Sequence, residues 1–356
     1  MDVGSAATTD LSGTIKDYSV THKALDFAAM GQKETYWDFA DATKNFGYYK
    51  TIPELKKAID ALAIWTAGIG YETDAYNKVL LESVKGWGED SFQQIMQNMI
   101  IVKKIIGDSF AEIIRKDDGL LLNIKVISPE RVRFVVGPNG IILRYDVRKQ
   151  EGTFKSIKKE DMLHLCNDRL ADEIHGTSVI DACKWVIDAR HEALTDERKI
   201  KHRELALGIL YVDTDDTAKL TQIKTQYAEA VKNGEVLVLP KETAELKDAG
   251  VKPQDRLAWI QYLENFFYQA VGVPRVIATS ENYTEAASKV GFLTFEPIYT
   301  NEQSLLEQDL WSQLGIKVTF NRPPSLSGVL QQSEEKNTGQ TSIQPNEMQA
   351  TAGRVE

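Results

Sequence analysis

Histidine and cysteine, the residue types that most often bind zinc, are concentrated in one stretch of 28 residues. They are His164, Cys166, His175, Cys183 and His191. No two of them have the C-x-x-C or H-E-x-x-H spacing that brings two ligands to one metal ion. His164 lies in an apolar segment and His191 among charged residues, which is typical of a hydrogen-bonded core histidine and a solvated one. The pattern predicts no metal site and no other cofactor.

Signatures of nucleotide binding and of nucleophilic catalysis are missing from the sequence as well. It has no G-x-x-x-x-G-K-[ST] loop and no G-x-G-x-x-G after a strand, the loops that surround phosphates. No Ser-His-Asp or Cys-His context indicates a nucleophile. The acidic pairs Asp117-Asp118 and Asp215-Asp216 fall in predicted turns, where carboxylates favour the turn itself. We therefore expect no catalytic residues and a protein that is not an enzyme.

Composition and charge limit the class of partner. The chain has 356 residues and a formal net charge of -10, so it lacks the basic balance of a protein that holds nucleic acid by counterion release. Its two cysteines are too few for a disulfide framework and indicate a reducing compartment. No apolar stretch reaches the roughly 20 residues that cross a bilayer. We expect no membrane contact, and only a local, weak contact with DNA.

The first half of the chain is predicted to be α+β. Thr51 and Glu54 can cap a first helix, and a second helix starts at Ser91 and ends before Gly107. The hydrophobic period then changes to two, which predicts strands in one antiparallel sheet, at 109–115, 121–128, 132–136 and 141–147.

Two long helices dominate the second half. The first spans 176–205, and 12 of its 17 residues from 188 to 204 are charged or histidine. A helix that is polar nearly all round is held by ion pairs, along itself or with neighbouring copies, rather than by burial. A strand at 207–212, a helix at 217–232 and a strand at 235–239 form a small mixed module before the second long helix, 254–271. A third helical pattern, 285–314, contains Pro297, which is expected to kink or break it.

Several short segments carry no chemistry but occur in a fixed order: IPELKKAIDALAIWTAGIG at 52–70, GDSFAEI at 107–113, ISPERV at 127–132, DMLHL at 161–165 with GTS at 176–178, and VGVP at 271–274. No single segment is specific. In this order they resemble the portal proteins of tailed bacteriophages and related archaeal viruses, over roughly residues 50 to 315.

The resemblance implies an α+β portal fold with a mixed α/β wing, a long α-helical stem, a small α/β clip and a reduced or absent crown. In chain order its parts would be a disordered tail (1–17), the wing (18–175), the outgoing stem helix (176–205), the clip (206–253), the returning stem helix (254–274), the tunnel loop (275–290), a kinked helix that returns to the wing with a final strand (291–320), and a second disordered tail (321–356).

The resemblance also implies a function. Family members form a dodecameric ring at one capsid vertex of the virion, and the ring is a channel for genome packaging and ejection. Implied partners are further copies of the chain, weakly bound and sliding double-stranded DNA, the terminase large subunit, a head-to-tail adaptor, and the major capsid and scaffolding proteins. Assembly would take place in the host cytoplasm. A capsid or head-to-tail connector protein without a DNA channel is the alternative that the sequence leaves open.

Two groups of residues are expected to act in this role. The tunnel loop would contact DNA through small polar residues with flanking cations: Arg275, Ser280, Asn282, Tyr283, Thr284 and Lys289. Charged side chains of the outgoing stem helix would pair between subunits: Asp188, Arg190, Glu192, Glu197, Arg198, Lys201 and Arg203. The aromatic residues of the returning helix are expected to pack between stem helices rather than to stack on bases: Trp259, Tyr262, Phe266, Phe267 and Tyr268.

Overall fold

The computed structural model describes residues 34–39, 41–138, 140–203, 208–212, 216–233, 244–248, 256–279 and 284–323. The predicted tail at 1–17, the predicted strand at 235–239 and residues 324–356 of the second predicted tail lie outside these ranges. The fold is α+β, as predicted.

The helices of the described residues are α1 (Ala42–Thr51), α2 (Pro53–Ala67), α3 (Ala75–Ser83), α4 (Phe92–Ile106), α5 (Val179–Arg203), α6 (Thr217–Asn233), α7 (Arg256–Val271), α8 (Arg275–Ala278) and α9 (Glu285–Leu314). The strands are β1 (Thr35–Trp37), β2 (Tyr71–Glu72), β3 (Asp108–Arg115), β4 (Leu121–Ile127), β5 (Val132–Val136), β6 (Ile142–Arg148), β7 (Phe154–Lys158), β8 (Met162–Cys166), β9 (Gly208–Val212), β10 (Ala244–Asp248) and β11 (Thr319–Phe320).

The predicted cap of the first helix is wrong. Thr51 is the last residue of α1, and its hydroxyl donates to the carbonyl oxygen of Gly47 at 2.8 Å. Helix α2 begins at Pro53 after Ile52, with no side-chain cap, because the chain is already helical before Thr51. Helix α4 follows the sequence pattern: Ser91 and Gln94 form a reciprocal capping box. Gly107 ends this helix in the left-handed region at φ 99°.

The predicted strands are confirmed, but they form two antiparallel sheets instead of one. The first sheet has the order β4-β3-β8 and the second the order β1-β5-β6-β7. A short helical turn, Pro129–Arg131, follows β4 and leads the chain into the second sheet, so that β5 pairs with β6 and not with β4. One buried cluster contains side chains of both sheets, among them Phe110 and Phe134.

Helix α9 returns the chain to the first sheet and its neighbouring helices. The side chains of Leu306, Leu310 and Leu314 are buried in one cluster with residues of α4, and β11 pairs with β2. The helix runs through Pro297 without a break. Phe295 and Tyr299, on either side of the proline, are fully buried and pack on Trp65, which stabilises the helix where the proline removes a hydrogen bond.

The small mixed module between α5 and α7 contains α6 and a two-stranded antiparallel sheet. Strand β9 and helix α6 are as predicted. Strand β9 pairs with β10 at Ala244–Asp248, a strand that the sequence pattern did not indicate. No helix in the described ranges has the length and apolar character needed to span a membrane.

Candidate functional site

Helices α5 and α7 pack against each other along one seam. Val186 and Ile187 of α5 lie in one buried cluster with Leu263 and Phe267 of α7. The expectation that α5 is polar all round after residue 188 is wrong, because Ala189 and Ala193 continue the seam as half-buried small side chains. Here the seam is only one small residue wide, so the high number of charged residues in this part of α5 hid it from the sequence analysis.

Arg190 is placed inside the subunit, although it was expected to pair with a neighbouring copy. Its Nη2 lies 2.8 Å from both carboxylate oxygens of Glu54 and 3.3 Å from Glu264 Oε1. Burial, together with the charge of Glu54, raises the pKa of Glu264. The trio therefore joins α2, α5 and α7 within one chain.

The other residues of α5 that were predicted to pair between subunits fall into three groups. Asp188, Glu192 and Arg198 are exposed. Glu197 is half-buried and lines a groove between α5 and α7. Lys201 and Arg203 lie in the last turn of α5, where the structure describes the backbone only.

The aromatic residues of α7 do not all pack between the stem helices of one chain. Phe267 and Tyr268 are buried, as expected. Trp259 and Tyr262 are about half-exposed (49% and 53%) and stack on each other with ring centroids 5.7 Å apart. Tyr262 contacts Phe266, which in turn contacts the exposed Trp185 of α5. A continuous aromatic surface thus borders the groove between the two helices.

The predicted tunnel loop is shorter than expected. Residues 275–278 form the short helix α8, and α9 begins at Glu285, because the Thr284 hydroxyl caps it by accepting from the Ala287 amide at 3.3 Å. Residues 279–284 remain between the two helices. Ser280, Asn282 and Tyr283 lie outside the described residues.

The two cations predicted beside this loop both have partners within the chain. Arg275 Nη1 donates to Asn265 Oδ1 at 3.1 Å. Lys289 lies in the first turns of α9 and pairs with Glu285 at 2.6 Å, in an exposed position. This pairing lowers the pKa of Glu285.

A buried polar group that sequence reasoning missed is centred on Asp108. His164 Nε2 lies 2.7 Å from Asp108 Oδ1, and His175 Nδ1 lies 3.4 Å from Oδ2. The amide of Gly176 also donates to Oδ2, at 2.9 Å. Burial alone would raise the pKa of Asp108, but the hydrogen bond to His164 and the nearby ring of His175 outweigh it and hold the pKa well below its usual range. The group joins β3 and β8 to the turn that starts α5.

The same group is the place where a metal ion could be considered. Asp108, His164 and Cys166 each place one potential ligand atom within 4.8 Å of the others. Burial and the charge of Asp108 raise the pKa of Cys166 to about 12, which favours the thiol over the thiolate that binds metals. Both Asp108 oxygens already accept hydrogen bonds, so we assign the group a structural role. Cys183 is buried in another cluster and His191 is exposed, so the five candidate ligands do not meet.

A second buried ionic group, also missed, ties α9 to α4. Lys103 and Lys104 are 4% and 8% exposed and both pair with Glu302, with Lys104 Nζ at 3.0 Å from Oε2. Burial alone would raise the pKa of Glu302, but the two ammonium groups lower it. The only sequence signal was the pair of adjacent lysines inside the apolar pattern of α4.

In chain order, a mixed α/β region is followed by a long helix, a small α/β module and a second long helix that packs against the first. A family model described as phage portal protein matches residues 72–351. The chain therefore belongs to the phage portal protein family, the head-to-tail connectors of virions. Portal proteins are structural proteins, as expected for a chain without an enzyme signature. No curated protein sequence matches the chain.

Solved structures show the same fold at low sequence identity. The neck of a native gene transfer agent particle computed with C12 symmetry has a TM-score of 0.61 at 16% identity, and the match covers 87% of this chain and 92% of that chain. The neck of an empty particle computed with C6 symmetry gives 0.63 at 18%, covering 92% and 97%. An HK97 family phage portal protein from Corynebacterium diphtheriae gives 0.52 at 13%, covering 77% and 94%. None of these matches supports the alternative of a protein without a channel.

Proposed function

We propose that copies of this chain form a ring at one capsid vertex, around a channel through which double-stranded viral DNA is packaged and later ejected. The observation that carries the proposal is the family match over residues 72–351. The similar fold of gene transfer agent necks computed with C12 and C6 symmetry supports a ring, with twelve copies as the expected number. A heterologous contact repeated around a closed rotation gives such a ring.

The division into wing, stem, clip and loop is part of the same proposal. The pair α5 and α7 serves as the stem, and the module of β9, α6 and β10 between them in sequence serves as the clip. The burial of Leu306 and Leu310 and the pairing of β11 with β2 support the return of the last segment to the wing. Residues 324–356 lie outside the described residues, and we propose a reduced or absent crown from the polar sequence of this segment.

The contact with DNA is proposed to be weak because the chain is acidic. A duplex carries one phosphate charge per ~1.7 Å of axis, so a strongly basic channel would hold it and stop its movement. The two cations that flank residues 279–284, Arg275 and Lys289, are already partnered by Asn265 and Glu285. They offer the duplex a shallow attraction rather than a grip.

The other proposed partners are the proteins that a portal ring would contact during assembly. The sequence of this chain has no nucleotide-binding loop, so the energy for packaging must come from a separate motor, the terminase large subunit, which we propose binds the clip. The head-to-tail adaptor would take the same place after packaging. Major capsid and scaffolding proteins would contact the wing. We propose that the chain itself catalyses no reaction.

Negative-stain images of the purified full-length chain test the ring. The expected result is rings with a central hole, and classification of end-on views gives the number of copies. Monomers, or closed particles without a hole, at concentrations where the wing is folded would contradict the proposal and favour the capsid or connector alternative.

A further inference from the structure

We infer that the groove between α5 and α7 is one half of a contact between two copies of this chain, and that it receives Arg198 of the neighbouring copy. The inference rests on the proposed ring and specifies which surfaces close it. It uses three observations: the aromatic surface beside the groove, the carboxylates at its edge, and the position of Arg198 on the opposite side of α5.

Apolar side chains form one part of the lining of the groove. It has a volume of about 280 Å³ and is lined by Ala189, Ala193, Trp259 and Ile260. Trp259 is 49% exposed, and Trp185, which is connected to it through the rings of Phe266 and Tyr262, is 54% exposed. A contiguous aromatic surface of this kind, on one side of a pair of helices, indicates an interaction site.

Carboxylates define what the groove can bind. Glu192, Asp196 and Glu197 of α5 line it together with Trp259 of α7. Aromatic faces next to carboxylates favour a cation, because the ring quadrupole and the negative charges attract the same group. The same carboxylates repel phosphate, so base stacking by Trp259 and Tyr262 on DNA is disfavoured. A guanidinium group fits both the flat rings and the carboxylates.

The chain carries such a group on the opposite side of the same helix. At 3.6 residues per turn, Arg198 lies about 180° around α5 from Ala189 and about 140° from Ala193. Its side chain is exposed. Two lysines of the same helix pair with carboxylates of α5, Lys184 with Asp181 and Lys199 with Asp196. One helix thus presents an acidic groove on one side and a cation on the other.

Ring symmetry brings these two sides together. Rotation about an axis along the stem keeps the height of every residue, so each copy faces its neighbour with residues of equal height. Arg198 lies two positions beyond Asp196, about 3 Å along the helix axis. Two different surfaces that meet at equal height form a heterologous contact, which closes into a ring.

A charge exchange tests the contact in the full-length chain. We expect Arg198→Glu to raise the concentration needed for half-assembly at least tenfold in sedimentation velocity, and Trp259→Ala to do the same. Adding Asp196→Arg to Arg198→Glu should restore most of the assembly, because Asp196 is the groove carboxylate closest in height to Arg198. The matched control is Arg115→Glu, an exposed arginine on β3, which should assemble like the wild type. Circular dichroism confirms that each variant is folded.

A cross-link gives a second readout that does not depend on affinity. Residues 196 and 198 point to nearly opposite sides of one helix, so Asp196→Cys and Arg198→Cys in the same chain cannot bridge each other. Between copies they should form a ladder of multimers on a non-reducing gel, and each single variant should give none. Wild-type rings combined with normal assembly of Arg198→Glu and no ladder would overturn this contact and leave the proposed ring intact. Absence of rings in the wild type would overturn the proposed function itself.

Discussion

Glu302→Gln is expected to destabilise the subunit strongly, because the change removes a charge and keeps the shape. Glu302 is 7% exposed and is the common partner of Lys103 and Lys104. Lys104 keeps a second partner, since its Nζ donates to Asn167 Oδ1 at 2.8 Å. In the variant, two buried ammonium groups would face a neutral amide.

The magnitude follows from this loss. Breaking a buried ion pair by removing one partner costs about 3–5 kcal/mol. Asp309 also attracts Lys103 and offsets part of the loss, so we expect the lower end, about 3 kcal/mol. At about 2–4 °C per kcal/mol, the midpoint of thermal unfolding should fall by roughly 6–12 °C.

The assay is thermal unfolding followed by circular dichroism, at equal protein concentration for each variant because assembly adds to apparent stability. Glu285→Gln is the matched control: it breaks an exposed pair with Lys289 on the same helix and should leave the unfolding midpoint almost unchanged. A triple change, Lys103→Met, Lys104→Met and Glu302→Leu, should recover most of the stability. If Glu302→Gln unfolds within about 1 kcal/mol of Glu285→Gln, the buried pairs do not stabilise the fold as argued.

The pH dependence has a definite sign. The pKa of Glu302 is lowered from its ordinary value of 4.5, so its ion pairs stabilise the folded state above that pH. This stabilisation is lost as the pH falls below 4.5 through the lower pKa of the folded state. The wild type should lose stability in that window by an amount that Glu302→Gln does not show.

Three further outcomes are expected. Gly107→Ala should lower the unfolding midpoint or abolish folded protein, because Gly107 has φ 99° and an added Cβ would lie 2.1 Å from the carbonyl oxygen of Gly176, a cost of at least about 2 kcal/mol. Gly119→Ala is the control: Gly119 has φ 84° and no atom within 4 Å of an added Cβ, so the change should cost only about 1 kcal/mol. Equal unfolding midpoints for the two variants would refute the steric argument. Leu263→Pro, at a fully buried position within α7, should destabilise the chain by about 3 kcal/mol or more. Negative stain should show no intact rings although the proposed wing is folded, whereas Leu263→Met should assemble. Intact rings from the proline variant would contradict the role of α7 in the proposed stem. Deletion of residues 280–284 should leave rings intact but impair DNA packaging or retention, with a milder effect for Lys289→Glu; wild-type packaging by confirmed rings of the deletion variant would remove this segment from the channel.

Local sequence signals predicted most of the helices and strands of the first half of the chain. The strands from 109 to 147 are separated by turn sequences such as Asp117-Asp118-Gly119, and the ends of α4 and α9 carry a capping residue and a glycine in the left-handed region. These signals are local, so they are readable in one chain. The division of the strands into two sheets depends on a single helical turn at Pro129–Arg131, which no period reveals.

The buried ionic groups could not be predicted for a different reason. Asp108 and His164 are 56 positions apart, and Lys103 and Glu302 are 199 apart. Each residue alone is polar and would ordinarily be placed on the surface. Only the fold brings the partners together, and only the partnership makes burial of the charge tolerable.

Helix α9 connects the proposed channel segment to the wing, and its two halves are held differently. After Pro297 the helix is fixed by Glu302 between Lys103 and Lys104 and by Leu306 and Leu310 in the core. Before the proline, most side chains from Glu285 to Val290 are exposed, and the helix lacks the hydrogen bond that a proline cannot donate. Force applied to residues 279–284 by a moving duplex should therefore bend the exposed first turns of α9, while the part from Phe295 onward, which is packed on Trp65 and the core, keeps its place. In this way residues 279–284 could move when DNA passes, although they are attached to α9, whose second half is fixed in the core.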